Sequence, residues 1–312
     1  MYLFEPLTDV RCRVGEGPTW CPERGELWWV DLPRGAWYRY VWATGSVDSR
    51  TLSDRLSFVA PDDAGGAIAG IADGLAAVPD TGPITTADLP VEADLESTFV
   101  NDGKVGPDRR LYFGTFDRLR RDGVCGLYRT GDTVGAVERV VSGLTISNGL
   151  DWSPDGSTMY VVDSQHQHVL AFAFDSGSGS LTARRVLITI PADQGMPDGL
   201  AVDADGDIWL ALYGGSALGR FGATGVLREM VKLPVTCPAS LCFAGPQLDT
   251  LVVTTAYARI VDHGREPGPL DGAVLRARVG VRGQRPRSAR VPVRPVPVRP
   301  LPFAKPSDVP RS

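Results

Sequence analysis

The segment that decides the fold is residues 146–164, which read ISNGLDWSPDGSTMYVVDS. Two short apolar runs flank a Pro-Asp-Gly turn, and the second run is rich in β-branched and aromatic residues. Two further alternating runs follow, separated by a Ser-Gly-Ser-Gly turn. The predicted strands are residues 146–152, 159–162, 168–174 and 184–190. This region is therefore expected to form four antiparallel strands.

The same order of strand, turn and strand recurs along the chain. Six copies, two of them weaker, begin at Gly15, Ser57, Val100, Ile146, Met196 and Cys237. They lie roughly 40 to 50 residues apart, which is the period of a four-stranded propeller blade. An open sandwich or another repeat array would leave exposed strand edges, which a closed ring avoids. The repeats predict an all-β fold, a six-bladed β-propeller.

The composition changes where the repeats end, near residue 283. We predict one propeller domain over residues 1–283 and a basic, Pro/Arg-rich tail over residues 284–312. Closely spaced prolines remove donors for sheet pairing and favour polyproline II, so the tail is expected to be flexible. A docking role on a proline-binding module or an acidic surface is the alternative.

Charge and hydropathy limit the partners of the protein. The formal net charge is −5, yet from Arg276 onward the chain carries ten basic residues and one acidic residue, which leaves the preceding body strongly acidic. An acidic body argues against nucleic acid and suits a cation. No apolar run approaches the length of a membrane helix, and the N-terminus lacks an apolar signal core. We expect a cytoplasmic protein with a small-molecule substrate and no membrane partner; the sequence predicts no oligomeric state.

Cysteine and histidine usage argues against two kinds of site. The five cysteines are odd in number and none lies in a C-x-x-C pair, so neither a disulfide framework nor a zinc-thiolate site is expected. Three histidines are too few for a His-rich metal site.

Four oxygen-bearing side chains stand at the start of the first strand of their repeats. They are Glu16, Asn101, Asn148 and Asp198, each followed directly or soon by glycine. The first strand of every blade lines the axis of a propeller, so these side chains are expected to meet at the mouth of the central channel. Two carboxylates in a partly dry cavity repel each other, and a cation resolves that conflict. Carboxylate and amide oxygens suit a hard ion such as Ca²⁺, Mg²⁺ or Mn²⁺, with Zn²⁺ as an alternative.

Asn-Gly and Asp-Gly are also ordinary turn pairs, which is the competing interpretation of these positions. The pairs Asp155-Gly156 and Asp205-Gly206 are such turns. The four entrance positions lie upstream of a separate turn that already reverses the chain, which favours a site over a turn.

The motifs together resemble the SMP-30/regucalcin/gluconolactonase (LRE-like) family of six-bladed propellers. The resemblance runs from about Leu7 to Gly283 and includes GEGPTW, NDGKVGPDRRLYFGTFD, ISNGLDWSPDGSTMYVVDS and PDGLAVDADGDIWLALYGG. It implies that Glu16, Asn148 and Asp198 ligate a metal ion and that Asn101 contacts the substrate. It also implies hydrolysis of sugar lactones, typically with calcium or zinc.

Phe99 departs from the family pattern, because relatives that act on sugar lactones commonly carry an arginine two positions before the NDGK asparagine. An apolar ring in that place removes five hydrogen-bond donors, so Phe99 is expected to line the substrate pocket and to favour more apolar lactones. In the alternative, Phe99 packs aside and Asp117, Arg118 or Arg120 in the following loop binds the substrate.

These observations predict a metal-dependent lactone hydrolase with one divalent ion, for which Ca²⁺ is favoured over Zn²⁺, Mg²⁺ and Mn²⁺. Asp198, a ligand that also faces the substrate, is the candidate catalytic general base. A serine hydrolase is disfavoured because the chain has no G-x-S-x-G motif and no plausible triad. Two alternatives are a metalloenzyme that acts on an apolar secondary metabolite by another reaction and a non-catalytic calcium-binding propeller.

Overall fold

The computed structural model describes residues 2–53, 55–72, 74–80, 85–86, 91–92, 94–131 and 136–290. In this part of the chain, 24 β-strands form six antiparallel sheets of four strands each. The first strands of neighbouring sheets contact one another all the way around a central axis. The fold is a six-bladed β-propeller, which confirms the prediction from the repeats.

The chain begins with β1 (Glu5–Arg11), which belongs to the last blade. Blades 1 to 3 follow as consecutive strands, counted from the axis outward. Blade 1 contains β2 (Gly15–Cys21), β3 (Glu26–Asp31), β4 (Ala36–Val41) and β5 (Val47–Thr51). Blade 2 contains β6 (Leu56–Pro61), β7 (Ala67–Ile71), β8 (Gly74–Val78) and β9 (Thr85–Thr86). Blade 3 contains β10 (Thr98–Val105), β11 (Leu111–Asp117), β12 (Cys125–Thr130) and β13 (Val137–Leu144).

Blades 4 to 6 continue in the same way. Blade 4 contains β14 (Ser147–Trp152), β15 (Thr158–Asp163), β16 (His168–Asp175) and β17 (Ser180–Thr189). Blade 5 contains β18 (Met196–Val202), β19 (Ile208–Tyr213), β20 (Ala217–Phe221) and β21 (Leu227–Lys232). Blade 6 contains β22 (Cys237–Ala244), β23 (Thr250–Ala256), β24 (Ala273–Arg278) and β1. The short helix α1 (Ala258–Asp262) lies between β23 and β24, and 3₁₀ turns cover Leu32–Arg34 and Ala192–Gln194.

The start of the chain supplies the outer strand of blade 6. β1 pairs antiparallel with β24, where Glu5 lies opposite Arg276 and forms a salt bridge at 2.9 Å. Phe4 and Leu7 are buried beside this contact. Because the first strand completes the last sheet, β24 is not left with an unpaired edge.

The hydrophobic core lies between the blades. In the described part of the chain, six clusters of buried apolar residues occur, one at each junction between neighbouring blades. The largest fully buried side chains include Trp28, Trp29, Trp37, Trp152 and Trp209. Adjacent blades cover both faces of the second strands, so residues 159–162 of β15 and all of β19 form continuous apolar runs rather than alternating ones.

Each inner strand has a register shift near its start. The shifts lie between Glu16 and Thr19, Leu56 and Phe58, Val100 and Gly103, Ser147 and Leu150, Pro197 and Leu200, and Pro238 and Ser240. A β-bulge bends its strand and changes the direction of nearby side chains. The repeat therefore gives every blade the same irregularity at the channel mouth, where the predicted site residues lie.

The segment after the last blade packs against the propeller at the end of the channel where the inner strands finish. The Gln284 amide donates to the carbonyls of Trp152 and Val202, at 2.7 and 3.2 Å. Ala289 is fully buried, and its backbone N–H donates to the Pro61 carbonyl. Residues 284–290 are thus held in place, contrary to the expected flexibility, because their backbone and side chains find partners on the blades. Residues 291–312, the rest of the predicted tail, lie outside the described residues, and the domain boundary at residue 283 stays a prediction.

All five cysteines are buried and unpaired, in agreement with the expected absence of a disulfide framework. In the ranges that the structure describes, no helix is long and apolar enough to cross a membrane.

Candidate active site

Glycine allows the inner strands that carry Asn148 and Asp198 to approach each other. A β-carbon on Gly149 would collide with the backbone of β18, and one on Gly199 would collide with Ser240 of β22. These close contacts require a residue without a side chain. The Asn-Gly and Asp-Gly pairs at the channel mouth therefore serve strand packing rather than chain reversal, which decides against the competing turn interpretation.

Three of the predicted site residues meet at the mouth of the channel. Asn148 and Asp198 are buried, with 8% and 5% of their surface exposed, and Glu16 is partly buried. The Asn148 amide donates to Ser164 Oγ at 3.2 Å, and its interaction with the Asp198 carboxyl group lowers the pKa of Asp198 against the effect of burial. Glu16 from blade 1 lies close enough to Asp198 from blade 5 for their charges to interact.

The electrostatics of this mouth disfavour free carboxylates. Burial raises the pKa of Glu16 well above its usual range, and the charges of Asp198 and Asp102 raise it further. Burial also raises the pKa of Asp198, with an added contribution from Asp102. The pKa of Asp102 itself is raised to about 6 by burial, against the opposing effects of the Gly103 N–H and Lys104. Carboxyl groups crowded into a dry space favour their neutral forms unless a cation balances them.

A metal site at this mouth would combine carboxylate and amide oxygens. Within the described residues, no group of three or more His, Cys, Asp or Glu side chains is arranged to hold an ion. The predicted ligands are two carboxylates, Glu16 and Asp198, and the amide of Asn148. This oxygen-only set has the chemistry that hard divalent cations prefer.

Asn101 lies beside this group, at the junction of blades 3 and 4. Its side-chain amide donates to the carbonyl of Ser147 at 2.9 Å. That bond fixes the orientation of the Asn101 amide next to Asn148, which directly follows Ser147 in the chain.

The Phe99 ring is in contact with charged as well as apolar side chains. Its ring lies 5.3 Å from that of Phe116 on the paired strand. The guanidinium carbon of Arg55 lies 3.8 Å from the centroid of the Phe99 ring, and that of Arg118 lies 5.6 Å from it. Two cations from separate parts of the chain therefore flank this ring.

Arg55 was not predicted as a site residue from the sequence. This residue directly precedes β6, the inner strand of blade 2, and lies two positions before Ser57, which is at the register shift where other blades carry their site residues. Its nearness to the start of an inner strand was the available signal, but blade 2 is one of the weaker copies. Its contact with Phe99 of blade 3 depends on how the two blades pack.

Asp117 has a different role from the predicted substrate contact. It is the last residue of β11, and it is fully buried. Its carboxylate accepts hydrogen bonds from the Arg121 side chain at 2.8 Å and from the backbone N–H groups of Leu119 and Arg121. Asp117 therefore organises the loop after β11 rather than facing a ligand.

An open cavity of about 750 Å³ adjoins the site on the same face of the propeller. Ser164, the hydrogen-bond partner of Asn148, forms part of its wall, and so does Tyr213. Burial raises the pKa of the Tyr213 hydroxyl, and the charges of Cys237 and Asp198 add to this effect. The site formed by Glu16, Asn148 and Asp198 thus borders a space large enough for a small ligand.

The opposite end of the channel is closed by an ion pair and the C-terminal segment. Lys104 Nζ donates to Asp151 Oδ2 at 2.7 Å, and the same carboxylate oxygen accepts from the Val202 N–H. A cavity of about 80 Å³ remains there, with Gln284 in its wall. Lys104 of the NDGK motif therefore holds the inner strands together below the site.

Comparison with known proteins agrees with this architecture. Residues 14–257 match the model of the family described as SMP-30/Gluconolactonase/LRE-like region. The chain belongs to this family. The resemblance that the sequence motifs predicted is thereby confirmed.

Relatives within the SMP-30/gluconolactonase family match over most of their length. Regucalcin of Xenopus laevis is 31% identical over 289 residues, which cover 91% of this chain and 97% of that protein. Pentonolactonase XacC of Haloferax volcanii is 31% identical over 252 residues, covering 80% and 84%. The solved structure of a calcium-binding protein, regucalcin from Agrobacterium tumefaciens, superimposes with a TM-score of 0.86 at 27% identity, covering 93% and 98%.

Proposed function

We propose that this protein is a metal-dependent lactonase that opens a lactone with water. The observation that carries the proposal is a pair of carboxyl groups, partly buried Glu16 and buried Asp198, that two blades bring together with raised pKa values at the channel mouth. The relative named pentonolactonase supports lactone hydrolysis. The structure described as a calcium-binding protein, regucalcin, supports a bound divalent ion.

One divalent ion would be held by Glu16, Asn148 and Asp198. A cation removes the repulsion between the two carboxylates, which burial makes costly. Because every donor is an oxygen, Ca²⁺ is the favoured ion, with Mg²⁺, Mn²⁺ and Zn²⁺ as alternatives.

The bound ion would supply Lewis acidity toward the lactone carbonyl. Asn101, with its amide held by Ser147, orients that carbonyl. Asp198 acts as general base and takes a proton from water, while the water oxygen bonds to the carbonyl carbon and the ring C–O bond breaks. The proton passes to the departing ring oxygen, and the product is a hydroxy acid.

The test uses Asp198→Asn, which keeps the size of the side chain and removes its negative charge. We expect kcat to fall by about 100-fold or more, since a positioned base contributes at least that factor. The metal content measured by mass spectrometry should fall as well. The matched control is Asp205→Asn, in an exposed turn of the same blade, which should change neither quantity.

Chelation provides the second arm of this experiment. Wild-type turnover of a lactone panel should disappear after exhaustive chelation and return with one of the four ions. Turnover that survives chelation contradicts the proposed metal dependence. Ion binding without turnover of any lactone would instead support the non-catalytic calcium-binding alternative, which the relative described as a calcium-binding protein favours.

A further inference from the structure

Arg55 lies at the channel mouth on blade 2, directly before the inner strand β6. In blades 1, 4 and 5 the residues near the start of the inner strand are Glu16, Asn148 and Asp198, and Ser57 holds the equivalent register position in blade 2. Blade 2 instead brings a guanidinium group to the same mouth, where it lies 3.8 Å from the centroid of the Phe99 ring. Stacking on an aromatic face holds the planar guanidinium in one orientation while its N–H donors stay free for other partners.

Among the described residues, the charge of Arg55 is poorly balanced. Neither Arg55 nor Arg118 forms a salt bridge with another residue in the described ranges. Arg55 Nε is buried and has no hydrogen-bond partner there. Burial lowers the pKa of Arg55 to about 10, with Arg118 lowering it further and Glu16 opposing that shift. Arg55 therefore stays positively charged at neutral pH in a partly dehydrated place.

A buried charge without a partner is costly, and the cost is recovered when an anion supplies the missing hydrogen bonds. Among the described residues, Glu16 is the carboxylate whose charge acts on Arg55, but it belongs to the proposed metal site. A carboxylate matches the planar fork of a guanidinium and can accept two parallel hydrogen bonds, whereas a hydroxyl group balances no charge.

We propose that Arg55, held in place by the Phe99 ring, binds a carboxylate group of the substrate, so that the preferred lactones are anionic. This inference rests on the proposed lactonase function. Phe99 then acts as a positioning residue for a cation, instead of making the pocket apolar as its sequence position suggested. Arg118, whose guanidinium carbon lies 5.6 Å from the centroid of the same ring, adds positive charge to this subsite.

The experiment compares two probes that differ in one group. D-glucono-1,4-lactone carries a hydroxymethyl group where D-glucaro-1,4-lactone carries a carboxylate. The wild-type, metal-loaded protein should hydrolyse the anionic lactone with the higher kcat/KM. Arg55→Met should lower kcat/KM for that lactone by about tenfold or more, mainly through KM, and change the value for the neutral lactone by less than about twofold.

Three further variants distinguish a role of Arg55 in carboxylate binding from a purely structural role. Arg55→Lys should restore part of the preference, since it keeps the charge but lacks the planar fork. Phe99→Leu should reduce the preference while Arg55 is still present. Arg39→Met is the matched control, because Arg39 lies over the Trp37 ring at 5.2 Å on blade 1, and it should leave the preference unchanged.

The outcomes also distinguish this inference from the function on which it rests. Equal losses on both lactones in Arg55→Met, or an unchanged ratio, overturn the role of Arg55 in carboxylate binding. A wild type that hydrolyses the neutral lactone at least as well as the anionic one overturns the inference alone. A wild type that hydrolyses neither probe nor any other lactone overturns the proposed function itself.

Discussion

At the scale of single residues, Asp117 binds its own loop although the sequence predicted a substrate contact for it, and Arg55 contacts Phe99 although the sequence predicted no role for it. Asp117 follows a strand and precedes a polar loop, which is where ligand-binding carboxylates often occur. In the structure its oxygens accept hydrogen bonds from Arg121 and from the loop backbone. The side chain facing Phe99 comes instead from blade 2, as Arg55.

Asp117→Asn should therefore destabilise the protein without abolishing lactone turnover. The amide cannot accept all of the hydrogen bonds made by the carboxylate, and a buried donor left without a partner costs about 1–3 kcal/mol. We expect a lower melting temperature at pH 7 with kcat retained, measured by thermal unfolding and a lactone assay. The control Asp205→Asn, in an exposed turn, should melt like the wild type.

The effect of Asp117→Asn should depend on pH in a defined direction. The hydrogen bond from Arg121, followed by those from Ser97 and the loop backbone, holds the pKa of Asp117 well below its usual range. A carboxyl group with a lowered pKa in the folded protein stabilises it above the unfolded pKa of about 4, and this stabilisation is lost as the pH falls. The difference in melting temperature should shrink below about pH 4. A constant difference down to acid pH would contradict this account of Asp117.

At the scale of elements, residues 284–290 act as a cover for the far end of the channel. They pair through Gln284 and Ala289 with the ends of inner strands from blades 2, 4 and 5. The cover joins blades that are distant in sequence, so it is expected to stabilise their arrangement in the ring.

Two truncations test this cover. Ending the chain after Arg290 should leave the melting temperature within about 1 °C of the full-length value, because it removes only the part of the tail for which flexibility is predicted. Ending it after Gly283 should lower the melting temperature by about 3 °C or more, since buried Ala289 and the Gln284 hydrogen bonds are lost. Equal melting temperatures for the two truncations would mean that the cover contributes no stability.

At the scale of the whole molecule, the ring depends on the pairing of β1 with β24. Among the described strands, this contact joins the first to the last, so it has the largest sequence separation of the strand pairs. Propellers keep their sheet edges short and protected, and here β1 is the strand that protects β24.

Removal of residues 1–11 should expose the edge of β24 and the apolar surface that Phe4 and Leu7 cover. We expect a lower melting temperature and self-association through the open edge, measured by thermal unfolding and light scattering. Glu5→Gln is the control, since it breaks an exposed ion pair with Arg276, which is worth at most about 1 kcal/mol. A shortened protein that stays monomeric with unchanged stability would show that closure does not depend on β1.

The sequence by itself determined the propeller, because the signals that define a blade are local. Turns such as the one at Pro154 to Gly156, with apolar runs on either side, recur along the chain; their period indicates a four-stranded blade, and the number of copies indicates the number of blades. The entrance residues Glu16, Asn101, Asn148 and Asp198 could be found in the same way, since they hold equivalent places in their repeats.

Only the tertiary structure decided which side chains meet across blades. The stacking of Arg55 on Phe99, the enclosure of Asp117 by its own loop and the cover formed by residues 284–290 all depend on packing angles and loop paths. None of these contacts has a fixed spacing along the chain, because they join elements through space after the blades have packed. The periodic pattern therefore predicted the ring and its entrance positions, while packing between non-equivalent residues determined the charge and shape of the site.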